Sequence, residues 1–242
     1  MKRILLLLPL LFSLTVVCQE NSNPEEKGAA EKSAKAPAKA KAKRPPHPSL
    51  KPIQETPGIP RVLLIGDSIS MGYTLPTREI LDGVANVHRI PINGGPTSRS
   101  LEKIDGWLNF KEWDVIHFNW GIHDLKIMED GKRQVEAEDY EKNLRTMVRK
   151  MKATGATLIF ATTTPIPNGQ LEPDRKFGDV AEYNEIATKV MEEFEVKIND
   201  LNAHISPRLE ELQKPKDLHF TPKGSEFLAE AVAKIIEESI YD

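Results

Sequence analysis

From Arg61 onward, short and nearly unbroken apolar runs alternate with longer stretches of helical periodicity, and few architectures accommodate that alternation. The runs are RVLLI (61–65), VHRIPI (87–92), DVIHFNW (114–120), TLIFATT (157–163) and VKINDL (196–201). Most lack the strict apolar–polar alternation of a half-exposed strand, which is the pattern of parallel strands covered on both faces. Between them, Leu101, Ile104 and Leu108 share a helical face, as do Tyr140, Leu144, Met147, Val148 and Met151, and then Ile186, Ala187, Val190, Met191 and Phe194. A last helix opens at Thr221-Pro222, a good cap followed by proline at the first helical position, and its apolar face is Phe227, Leu228, Ala231, Val232, Ile235 and Ile236. Joined by right-handed crossovers, these pieces predict a three-layer α/β domain around a five-stranded parallel sheet.

Such sheets gather function in the loops beyond the carboxyl ends of their strands. Here those loops are polar and rich in glycine. The first strand runs into Gly66-Asp67-Ser68, the second into Asn93-Gly94-Gly95-Pro96-Thr97 and the third into Gly121-Ile122-His123-Asp124. The fourth runs into TTTPIPNG, and the loop before the last helix carries Asp217-Leu218-His219. One rim therefore offers a hydroxyl, tight glycine turns, two imidazoles and carboxylates.

A serine in the place of Ser68 is either the N-cap of the following helix or a nucleophile. As a nucleophile it needs a base to take its proton and a third group to orient that base. His219 is the candidate base and Asp217, two residues upstream, the candidate orienting carboxylate. Acyl transfer also needs donors aimed at the developing oxyanion. The backbone N–H of Ser68, the N–H of Gly95 and a ring N–H of His123 are the candidates. For the glycines the alternative is an ordinary turn, and for His123 a locally bonded loop residue.

IGDSIS, NGG, GIHD and DLHFTPKGSEFLAEAVAKII stand in the order of the conserved blocks of the SGNH/GDSL hydrolases, which the sequence resembles over nearly all of residues 61–240. That resemblance implies a flavodoxin-like α/β/α fold and an esterase, lipase or carbohydrate deacetylase activity. It implies Ser68 as nucleophile, Gly95 as an oxyanion donor, and the Asp217/His219 loop as bearer of acid and base. Two positions depart from the family pattern. His123 stands where most members carry the oxyanion-binding Asn, and the acid three residues before the base would be Lys216, with Asp217 one residue nearer. The G-x-S-x-G elbow of the other large α/β esterase group is absent.

The flanks bear on where such an enzyme would work. Lys2-Arg3 precede an apolar stretch from Ile4 to Val17, shorter than the roughly 20 residues of a membrane span and typical of an export signal. Cys18, the sole cysteine, closes that stretch. Either it is the acylated first residue of a lipoprotein, tethering the protein to a membrane, or cleavage follows it as in an ordinary secretory signal. With residues 1–18 as signal, residues 19–60 read as an Ala/Lys/Pro-rich flexible tether and residues 61–242 as the hydrolase domain. The expected location is periplasmic or extracellular.

In residues 61–242, 23 Lys and Arg face 31 Asp and Glu, a net charge of −8 that makes nucleic acid an unsuitable partner. No His, Asp or Glu grouping has metal-ligand spacing, so a site without metal or cofactor is expected. The segment IPNGQLEPDRKFGDV is polar where a lipase would show an apolar lid. Removal of small acyl groups such as acetyl from carbohydrate or a similar polar ester is the leading reading. The alternatives are a lysophospholipase or thioesterase, and a non-catalytic glycan-binding domain of the same fold. Trp120 is placed either to stack on a sugar or to pack in the core. His117 reads as a core histidine, His88 and His204 as surface residues, and His47 as part of the tether. Arg99 and Arg175 lie in rim-side loops, where they suit an anionic group of a substrate.

Overall fold

The computed structural model describes residues 45–169 and 171–241. The signal sequence, Cys18 and most of the tether read from the sequence lie outside the described residues. Five strands, β1 (Arg61–Ile65), β2 (Asn86–Arg89), β3 (Val115–Phe118), β4 (Thr157–Ala161) and β5 (Lys197–Asn199), form one sheet in the order β2-β1-β3-β4-β5. Every pairing is parallel, with Val62 opposite Val87 on one side and Val115 on the other. Strands of a parallel sheet are buried on both faces, and each here sorts its side chains accordingly. Leu63, Ile65, Ile116, Phe118, Leu158 and Phe160 enter one core, while Val62, Leu64, Val115, Ile159 and Ala161 enter the other.

The first core is covered by α2 (Thr97–Leu101), α3 (Ile104–Leu108), α4 (Ala137–Lys152) and α5 (Asp179–Glu193). The second is covered by α1 (Ser68–Ile80), α6 (Leu201–Ile205), α7 (Leu209–Leu212) and α8 (Pro222–Tyr241). The architecture is the three-layer, doubly wound α/β fold that the alternation of runs predicts. Its topological switch point falls between β1 and β3, so the loops after those two strands diverge and open a crevice at the carboxyl rim.

Three expectations change. Leu101, Ile104 and Leu108 do not share one helix, because α2 ends before α3 begins. The α2 segment is fixed to the rim by bonds from Thr97 to Asp124 and from Trp120 to Ser100, and these set its direction independently of α3. His88 is buried, not superficial, its ring against Trp113 and its Nε2 at 2.7 Å from Glu55 Oε1. His204 is half-buried and stacked on Phe227 with 4.2 Å between ring centroids. In addition, the described end of the tether lies against the domain. Asn86 exchanges two hydrogen bonds with the backbone of Thr56, and Glu55 pairs with Arg61, His88 and Lys111. Polar pairing to β2, which composition does not reveal, anchors this stretch.

Candidate active site

The first loop is built so that the serine is free. Asp67, not Ser68, caps α1, its Oδ1 accepting the N–H of Ile69 at 2.8 Å. The Ser68 hydroxyl is thereby released from capping, and its backbone N–H stands in the first helical turn, where amides have no partner within the helix. Beneath the turn lies Arg89, at the end of β2. Its Nη2 donates to Gly66 O at 3.0 Å, Asp67 O at 2.7 Å and Ser70 Oγ at 2.9 Å. Burial pushes the Arg89 pKa down to about 10, with Tyr73 and Asp67 opposing that shift, so the guanidinium is charged at neutral pH. Gly94 donates its N–H to Gly66 O at 2.9 Å, and a Cβ on Gly94 would stand 2.9 Å from that same oxygen. The second loop can brace the first only because residue 94 lacks a side chain.

His219 comes from the loop between α7 and α8. That loop is a narrow hairpin, closed by a bridge between Gln213 and Phe220 and by Lys214 N to His219 O at 2.9 Å. Thr221 caps α8 by accepting the N–H of Gly224 at 3.1 Å, and its own N–H reaches Leu212 O at 2.8 Å. Held this way, His219 Nε2 lies 2.8 Å from Ser68 Oγ, and His219 Nδ1 lies 2.6 Å from Asp217 Oδ1. The two-residue spacing works because Asp217 Oδ1 also accepts the backbone N–H of His219 at 3.1 Å, folding the loop into a tight turn. Burial raises the Asp217 pKa, but the N–H and ring of His219 lower it by more, so the carboxyl titrates below its usual range.

The third loop supplies His123, half-buried and in the wall of the same cleft as Ser68 and His219. Burial holds its pKa below the usual imidazole value. Arg175, Arg99 and His219 add to that effect and Asp67 opposes it. The ring is neutral at pH 7 and keeps one N–H to donate. Behind it, Asp124 Oδ1 accepts the N–H and hydroxyl of Thr97 at 2.8 and 2.5 Å, fastening the third loop to α2. Gly121 turns with φ of 148°, and a Cβ there would lie 2.3 Å from Thr163 Oγ1.

Gly95 is placed differently from its expected partners. Its φ is 67° and its N–H donates to Asn93 Oδ1 at 2.9 Å, so that amide is occupied. Trp120 does not face a ligand: it is 1 % exposed, and its Nε1 donates to Ser100 Oγ at 2.7 Å. His117 is a core residue. It is buried, Asn199 Nδ2 donates to its Nε2 at 3.2 Å, and burial pushes its pKa down to about 3. Arg99 and Arg175 both line the cleft, as does Lys216 at the position where the family acid would stand. Among the described residues, no group of three or more His, Cys, Asp or Glu side chains could hold a metal ion.

Nothing in the sequence reading singled out Arg89. The signal was an arginine closing a strand whose neighbours are otherwise buried. The Thr97–Asp124 link, joining residues 27 apart, had no local signature at all.

Ser68, Asp217, His219 and His123 thus meet in one cleft of about 800 Å³, a volume suited to a small ligand. An imidazole between a hydroxyl and a carboxylate can take the hydroxyl proton and be steadied as it becomes charged. Comparison with known proteins bears on the family and the fold. The sequence pattern of the GDSL-like lipase/acylhydrolase family matches residues 64–227. An acetyl xylan esterase, AlAXEase, shares the fold with a TM-score of 0.63 at 18% identity, over 73% of this chain and 99% of that one. A lipase/acylhydrolase from Enterococcus faecalis gives 0.65 at 20% identity, over 74% and 96%. Axe2, an acetylxylan esterase from Geobacillus stearothermophilus, gives 0.62 at 20%, over 73% and 94%. No curated protein sequence matches the chain.

Proposed function

The chain belongs to the GDSL-like lipase/acylhydrolase family and is an ester hydrolase, and on that premise we propose that it removes short acyl groups, acetyl above all, from carbohydrate or a comparable polar alcohol through an acyl-enzyme. The observation that carries the proposal is the chain of contacts from Ser68 Oγ to His219 Nε2 at 2.8 Å and from His219 Nδ1 to Asp217 Oδ1 at 2.6 Å. Ser68 attacks the ester carbonyl while His219 takes its proton. Asp217 holds the ring with Nδ1 protonated, which leaves Nε2 as the base, and it stabilises the imidazolium that forms. His219 then returns the proton to the departing alcohol oxygen. Next it deprotonates a water that attacks the acyl-serine, and the second collapse releases the carboxylic acid and restores Ser68.

The tetrahedral oxyanion is received by the Ser68 N–H, at the positive end of the 13-residue helix α1, and by the neutral ring of His123. Histidine serves here in place of the family's Asn because one N–H is all the role requires. Gly95 contributes its N–H when the oxyanion displaces the Asn93 side chain from it.

Small acyl groups and polar alcohols fit a cleft whose wall carries Arg99, Lys126, Gln134 and Lys216 beside Ile122 and Leu218. The two acetyl xylan esterases among the structural relatives lend this reading support of the same kind. Export completes it, resting on the charged and apolar segment from Lys2 to Val17. No helix among the described residues is long and apolar enough to cross a membrane.

A chain-length series of aryl esters tests the proposal. Acetyl ester turnover should exceed octanoyl turnover by at least about tenfold, and Ser68→Ala should abolish both, with a loss on the order of 10³-fold or more in kcat. Equal or faster turnover of the octanoyl ester would point to a lipolytic enzyme instead. Unchanged turnover in the Ser68→Ala variant would end the proposal.

A further inference from the structure

The hydrolase domain carries a net charge of −8, yet its candidate cleft is walled by four cations: Arg99, Lys126, Arg175 and Lys216. Several cations elsewhere pair with carboxylates. Arg133 reaches Asp179 and Glu182, Arg145 reaches Glu141 and Glu193, Lys150 reaches Asp105, and Arg208 reaches Glu211. Among the described residues, none of the four cleft cations forms an ion pair. In a domain with carboxylates in excess, this one cleft gathers four cations on its wall against two carboxylates. Two carboxylates share the wall, Glu172 and Asp217, and Asp217 is turned toward His219.

Arg175 is the best defined of the four. It is 5 % exposed, and its guanidinium is fixed by Nε donating to Ile122 O and Nη1 donating to Pro173 O at 3.0 Å. Its Nη2 makes no hydrogen bond among the described residues. Burial lowers the Arg175 pKa while Asp67 and Asp174 raise it, so the charge is held there without a carboxylate in contact. A guanidinium already locked by two bonds loses little freedom on accepting a third. Lys216, three residues before His219 in the same loop, is held with φ of 54°, a left-handed conformation that a lysine adopts only under constraint.

Building on the esterase reading, we infer that the ester taken by this cleft carries a carboxylate close to its acyl group, as an O-acylated uronic acid does, and that Arg175 Nη2 with the Lys126 and Lys216 ammonium groups receives that carboxylate. The positive wall concentrates an anionic substrate locally against the repulsion of the acidic surface. Arg175 donates to one carboxylate oxygen, and the two lysines on flexible stems supply charge around the other. The carbonyl of Ile122 bonded by Arg175 lies next to His123, so the residue that reads the substrate also braces a proposed oxyanion donor.

The test compares a methyl glycoside of O-acetylated galacturonic acid with the methyl ester of its carboxyl group, which has the same shape and no charge. With the full chain, kcat/KM for acetyl release should favour the acid by about tenfold or more at low salt. That preference should shrink severalfold in 0.5 M salt, where screening shortens the reach of these charges. Lys126→Glu with Lys216→Glu, both solvent-accessible positions, should bring the preference to one or below. Arg175→Lys, which retains charge but not the fixed fork, should reduce it while leaving some salt dependence. Equal rates on the acid and its methyl ester overturn the inference, as does hydrolysis of p-nitrophenyl acetate with neither sugar turned over. Failure on all three substrates would instead overturn the esterase reading beneath it.

Discussion

Asp124 shows how a single carboxyl under the site governs its integrity. Burial raises its pKa to about 7, against the hydrogen bonds from Thr97, and its Oδ2 is a buried atom without a partner. Between the ordinary carboxyl value near 4 and about 7, the folded state holds a proton that the unfolded chain gives up. Stability from this group is therefore complete below pH 4 and is lost as pH rises toward 7. Asp124→Asn keeps an acceptor for Thr97 and removes the titration. Its unfolding temperature relative to the native chain should climb as pH rises from 4 to 8, and parallel profiles would contradict the assignment. At this scale the sequence was legible where chemistry is local. Ser68 stands out by residue type just past the first strand, Asp217 and His219 in the loop before the last helix, and Asp217 reaches His219 across two residues. Arg89 and the Asn93–Gly95 bond escaped notice, since one needs the fold to bring β2 beneath the first loop and the other is a contest between two acceptors for one amide.

Among the elements, α8 and the hairpin before it decide where His219 stands. Gly224, in the first turn of α8, is pressed against the preceding loop, and a Cβ there would lie 2.5 Å from Leu212 O and 2.9 Å from Phe220 Cβ. Gly224→Ala must push the helix start away from the hairpin, which costs about 1–3 kcal/mol by overpacking. The same displacement carries His219 away from Ser68. A lowered unfolding temperature together with a fall in kcat is the expected result, and native values of both would show that the hairpin is positioned by something else. The helix was readable from its cap, its proline and its apolar face. The two short helices α2 and α3 were not, because side-chain bonds to distant loops set their ends, and no periodicity records those bonds.

At the scale of the molecule, a doubly wound sheet places five loops on one rim, and the serine loop and the His123 loop follow the two strands that flank the switch point. The alternation of apolar runs made that architecture legible, and the order of the rim residues made the family legible. Composition alone misjudged the segment before Arg61, where Thr56 and Glu55 tie a polar, proline-containing stretch to β2 through Asn86 and His88. The net charge of the domain is negative, yet Arg99, Lys126, Arg175 and Lys216 line the cleft that holds Ser68 and His219. The central claim is that Ser68 is a nucleophile activated by His219. Treatment of the full chain with a labelled fluorophosphonate, followed by peptide mapping, tests it directly. The label should sit on Ser68 and disappear in the His219→Ala variant, whereas label on another residue, or none on the native chain, would contradict the claim.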